Sequence, residues 1–138
     1  MDRQKAEGYL AQGFNCSQTV LLYFSEKLGL DNDIAVKISQ AFESGLFKGD
    51  TCGALSGAFM VIGLAKGDGK NRGEIKGYTD RFRIEFEKKM ASTKCEDLLG
   101  INITKDEDLK KAYDEGIIAR ICPEAIFTAI EILENILD

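Results

Sequence analysis

Four cysteines, Cys16, Cys52, Cys95 and Cys122, are the side chains of this chain best suited to chemistry, because histidine is absent altogether. Without imidazole there is no Ser–His or Cys–His catalytic pair, no His ligand to zinc and no Glu-x-x-His di-iron motif. What remains is thiol, carboxylate, lysine, arginine and tyrosine. The cysteines are separated by 36, 43 and 27 residues, and none forms a C-x-x-C pair, so thioredoxin-like and zinc-ribbon spacings do not apply. In a reducing compartment, scattered cysteines serve as buried thiols, metal ligands or redox groups more often than as structural disulfides. Two chemistries are open to a set that folding brings together. One is a four-thiolate centre holding a [2Fe–2S] cluster, or a single iron or zinc ion. The other is cycling as one or two dithiol–disulfide pairs. Four unrelated buried thiols acting as small hydrophobes explain the composition equally well.

The elements that must position these residues read as helices. The 138 residues are 44% apolar and 30% charged, with a single proline, which suits one all-α domain, 1–138, of about six to seven helices. A short helix over 2–12 carries Ala6, Tyr9 and Leu10 and ends at Gly13. Asn15 with Gln18 three residues on has the pattern of a capping box, opening a helix over about 16–29 that buries Val20, Leu21, Phe24 and Leu28. Asp31 or Asn32 caps the next, with Ile34, Ile38, Ala41 and Phe42 on one face. Thr51 caps an apolar, central helix over 52–65. The stripe Ile75, Tyr78, Phe82, Phe86 and Met90 marks a long amphipathic helix over about 73–92. "RFRIEFE", 81–87, alternates as a strand would, but the helical stripe through it is longer. Thr104 and Glu107 read as a second capping box, before a charged helix over 104–115. Pro123, at a first helical position, opens the last helix, with Ile126, Ala129, Ile130, Leu133 and Leu137 inward.

These boundaries put all four thiols at helix starts, where unpaired N–H groups and the helix dipole favour thiolate. Asp50, Glu96, Asp97 and Glu124 oppose ionisation, while Lys94 and Arg120 partly offset them. After Cys52 comes "GALSGA". Gly53 leaves the backbone beside the thiol unobstructed, and Gly57 follows one turn on. Such a small-residue face lets a helix or a cofactor approach closely, and tight helix packing is the simpler explanation of the spacing.

The arrangement Cys16 … "CGALSGA" … Cys95 … Cys122 resembles the C_GCAxxG_C_C family, small bacterial or archaeal proteins of about this length to which redox activity through four cysteines is ascribed. Cys52, Gly53, Ala54 and Gly57 match the core of the signature, and Cys16, Cys95 and Cys122 match its remaining cysteines in order. "GLAKG", 63–67, is similar to its continuation, whereas the approach "ESGLFKGDT" carries only Gly45 and Gly49. The resemblance implies redox or electron-transfer work by the four cysteines, with Gly53 and Gly57 shaping the site, as an accessory protein rather than a stand-alone enzyme. It favours iron–sulfur narrowly over disulfide and implies no substrate. The rival is a helical binding module stabilised by zinc on the same four thiols.

A formal net charge of −5 argues against nucleic acid as a partner. No segment has the length and apolarity of a membrane span or the form of a secretory leader, so a cytoplasmic protein working with a redox protein partner is expected. "KGDGKNRG", 66–73, lacks the spacing and the Ser or Thr of a P-loop and reads as a basic turn. Glu43, Asp50, Glu85 and Glu87 read as solvated helix faces. The aromatic stripe reads as core, or as a homodimer face.

Overall fold

A computed structural model describes residues 1–138 and contains eight α-helices and no sheet. They are α1 Arg3–Ala11, α2 Cys16–Ser25, α3 Asn32–Ser39, α4 Gly53–Lys66, α5 Arg72–Met90, α6 Cys95–Leu99, α7 Asp106–Asp114 and α8 Ile117–Leu137. The fold is all-α as the sequence predicts, with one helix more than the six to seven expected, because the short α6 forms as well.

Local chemistry starts α2 where the sequence places it. Asn15 Oδ1 accepts the Gln18 N–H at 2.9 Å, and Gln18 Oε1 accepts the Asn15 N–H at 2.9 Å, a complete capping box. The same two side chains then reach α3 and the turn after it. Gln18 Nε2 donates to the Val36 carbonyl and Asn15 Nδ2 to that of Gln40. One cap therefore fixes both the start of α2 and the seat of its neighbour.

The main core lies where α4 meets α2, α5 and α8. Ala54, Ala58, Val61 and Ile62 of α4 are buried against Val20 and Leu21 of α2, Phe82 and Phe86 of α5, and Ile126, Ile130 and Leu133 of α8. Phe82 and Phe86 stack at 5.7 Å, as the predicted stripe requires. The glycines of α4 set how close α2 comes. A Cβ at Gly57 would stand 2.8 Å from the Ser17 carbonyl oxygen, and one at Gly53 would stand 3.2 Å from Cys16 Cβ. Leu or Ile at either place would hold the two helices apart. A second, smaller cluster of Cys95, Leu99, Ile103 and Ala112 joins α6 and α7 to the N-terminal part of α8.

Four local readings are corrected. α3 presents Ala35 and Ser39 to the core, while Ile34 and Ile38 are 51% and 50% exposed and Ala41 is also exposed. Small residues win there because α3 docks through backbone contacts from Asn15 and Gln18. Cys52, not Thr51, is the N-cap of α4. Thr104 does not cap α7, whose N-cap is Lys105; its hydroxyl instead bonds Asn102 Oδ1. Finally, α8 starts at Ile117, after Gly116 at φ 73°, and Pro123 lies inside it. Proline there removes one bond, to the Ala119 carbonyl, which a long packed helix tolerates.

Candidate functional site

The four cysteines line one cleft of about 290 Å³. It opens along the seam between the two hydrophobic clusters. Cys52 belongs to the main core and Cys16 packs against it, while Cys95 belongs to the smaller cluster and Cys122 packs against that one. Each thiol comes from a different helix or its cap, so the site exists only when the halves of the core are assembled.

Backbone bonds explain the inner pair. Thr51 and Lys94 face each other in an isolated antiparallel bridge. On either side of it the Cys52 N–H donates to the Thr93 carbonyl at 2.7 Å and the Cys95 N–H to the Asp50 carbonyl at 2.6 Å. The bridge fastens the starts of α4 and α6 together and carries Cys52 and Cys95 with them. Both are buried, at 5% and 7% exposure. Cys16 and Cys122 are half-buried as residues. Cys16 follows the Asn15 cap in α2, as expected. Cys122 sits within α8, which corrects the expectation that all four thiols occupy helix starts.

Burial and neighbours divide the four thiols electrostatically. Cys16 is pushed well above the usual thiol range, first by a proton-mediated interaction with the Cys122 sulfur, then by burial. The same interaction holds Cys122 below that range, against the effect of burial. A thiol proton turned from one sulfur to the other stabilises charge on the acceptor. Cys52 is pushed up to about 11, chiefly by burial; the amides of Ala54 and Leu55 oppose the rise, although neither forms a cap hydrogen bond with the sulfur. Cys95 is pushed up to about 12 by burial, by the sulfurs of Cys52 and Cys122, and by Glu96. Cys122 is thus the one thiol of the set whose ionisation is favoured rather than opposed by its surroundings.

Before Cys52 the chain makes an unusual turn. Ser44, Gly45, Leu46 and Phe47 are all left-handed, at φ 52°, 62°, 62° and 58°. For the three non-glycine residues this costs roughly 1–2 kcal/mol each. The Asp50 N–H closes the turn on the Gly45 carbonyl, and a Cβ at Gly45 would stand 2.6 Å from the Asp50 nitrogen. The turn sets Glu43 and Ser44 on the cleft wall. The two glycines that the resemblance finds in "ESGLFKGDT" are therefore those that let the chain turn into Cys52.

Residues 14–136 match the family model "Putative redox-active protein (C_GCAxxG_C_C)". The chain belongs to this family. No curated protein and no solved structure matches it. The matched span contains all four cysteines and both signature glycines. In this family member Gly53 lines the cleft, whereas Gly57 faces the Ser17 backbone away from it, so the spacing reflects close helix packing at one position and access to the thiols at the other.

A cluster or a zinc ion needs three or four ligands around one point. Within the folded chain no three of the cysteines and carboxylates converge in that way. The four thiols are free. Sequence reasoning missed two polar members of the wall, Glu43 and Tyr113. Tyr113 is pushed up by burial, then by Glu43 and by the sulfurs of Cys122, Cys16 and Cys95. Nothing in the spacing of either residue separates it from a solvated helix face. No helix is long and apolar enough to cross a membrane.

Proposed function

We propose that the protein exchanges dithiol for disulfide, with Cys122 as the attacking thiolate and Cys16 as the resolving thiol. The observation that supports this is the pairing of Cys16 and Cys122, one raised and one lowered by their interaction, in a cleft shared with the other two thiols. Cys122 Sγ attacks one sulfur of an oxidant R–S–S–R. The S–S bond breaks, a mixed disulfide forms on Cys122, and the first R–S⁻ leaves and takes up from solvent a proton equivalent to the one Cys122 released on ionising. Cys16 then loses its proton and attacks Cys122 Sγ. The mixed disulfide breaks, the second R–S⁻ leaves and takes that proton. Two protein thiols have given up two electrons, and the oxidant has become two thiols. The reverse sequence reduces the pair. Cys52 and Cys95, the two buried cysteines flanking the Thr51–Lys94 bridge, are slower to react because their pKa values are raised.

Exchange is preferred to an iron–sulfur or zinc centre because no three cysteines or carboxylates form a group that could hold a metal ion, while Cys16 and Cys122 perturb each other directly. The test is an equilibrium titration of the anaerobically purified chain in dithiothreitol buffers, with iron, zinc and acid-labile sulfide measured on the same sample. The proposal expects two thiols lost per chain in a single reversible step, from protein free of stoichiometric metal. Iron with sulfide, or one tightly held zinc per chain, replaces it with the centre. Four thiols that stay reduced until the chain unfolds end it.

A further inference from the structure

Resting on that exchange reading, we infer that the cysteine cleft takes a low-mass disulfide with uncharged or cationic ends, and that Glu43 sets this preference. The walls around the sulfurs are mostly apolar, with Phe14, Leu98, Ile118 and Ile121 among them. The one charged side chain on the wall is the Glu43 carboxylate. Glu43 is half-buried and makes no ion pair or side-chain hydrogen bond. No lysine or arginine lines the cleft to receive a carboxylate from a substrate, and the chain as a whole carries a net charge of −5. At about 290 Å³ the cleft is at the small end of ligand sites, which run from roughly 300 Å³ upward. An anionic disulfide entering it meets an unscreened like charge and no counter-charge, beside a Cys122 sulfur that is itself turning negative. A cationic disulfide finds the carboxylate as a partner, and a neutral one is held by the apolar wall alone.

The experiment measures the rate of Cys16–Cys122 oxidation at low ionic strength by three small disulfides of similar length: cystamine, bis(2-hydroxyethyl) disulfide and 3,3′-dithiodipropionate. Each rate is divided by that of the same reagent with the chain unfolded in guanidinium chloride, which removes differences in intrinsic reactivity. The inference expects the order cationic, neutral, anionic, with the first and last roughly tenfold apart, the scale of one nearby charge in a partly desolvated site. Glu43→Gln brings the three to within about twofold of one another, while Glu96→Gln, which removes a charge outside the cleft wall, keeps the order. Three equal normalised rates in the unaltered protein overturn the inference. So does a charge order that survives in Glu43→Gln, which assigns it to net charge. Failure of the neutral reagent to oxidise the folded pair, with the pair reacting only to a protein disulfide, also overturns it. Failure of any disulfide to form a Cys16–Cys122 bond defeats the exchange reading itself.

Discussion

Replacing Gly57 by alanine tests how the signature glycines build the site. In α4 the change gains helix propensity, about 1 kcal/mol relative to glycine. Against this, the new Cβ would stand 2.8 Å from the Ser17 carbonyl oxygen, 3.1 Å from Val20 Cβ and 3.2 Å from Ser17 Cα. The nearest of these is backbone, so relief requires α4 to move off α2, an overpacking cost of about 1–3 kcal/mol. Gly63, in the same helix, is exposed and has nothing within 4 Å of its added Cβ. Gly63→Ala gains the same propensity with no clash. The difference in stability between the two variants therefore isolates the clash, about 1–3 kcal/mol. At this chain length that is a gap of about 3–10 °C in Tm, with Gly57→Ala the lower. Urea unfolding followed by circular dichroism gives the free energies directly, and thermal melts give the second reading. Gly57→Ala as stable as Gly63→Ala would show that helix separation does not depend on that glycine, and the account of the α2–α4 seam would fail.

Further outcomes follow from the same geometry. Ser17 Oγ and Thr19 Oγ1 are buried without a hydrogen-bond partner, so Thr19→Val, which keeps the shape and removes the orphaned hydroxyl, should raise stability by about 1 kcal/mol in urea titrations; a loss of stability would refute it. Iodoacetamide at neutral pH should label Cys122 first, since its pKa lies below the usual thiol range, whereas labelling of Cys52 and Cys95 should rise only as pH approaches about 11 and 12. Cys16→Ala removes the proton that lowers Cys122, so the midpoint of its pH–rate profile should move upward; an unmoved midpoint would show that the two sulfurs do not share one.

Much of this arrangement is legible in the residues. The Asn15–Gln18 capping box and the Ile75–Met90 stripe are local patterns, and both define elements that form as expected. Where the reading fails, a local signal has two structural solutions. Pro123 looks like the start of a helix because proline loses nothing there, yet α8 begins earlier and accepts the proline inside it. Ile34 and Ile38 look buried because they share a face, but polar contacts from Asn15 and Gln18 turn Ala35 and Ser39 inward instead. Convergence of the cysteines is a matter of tertiary packing. Separations of tens of residues carry no trace of it, and only the family signature points there. The bridge between Thr51 and Lys94, and the left-handed turn that brings Glu43 to the cleft, depend on long-range contacts that no local pattern records.

The most direct test of dithiol exchange is peptide mapping, without reduction, of folded protein oxidised by one equivalent of bis(2-hydroxyethyl) disulfide and then alkylated. The account predicts one dominant cross-linked species, joining the peptide of Cys16 to that of Cys122, with Cys52 and Cys95 recovered as alkylated thiols. A first bond between any other two cysteines, or a mixture of all pairings, would contradict it.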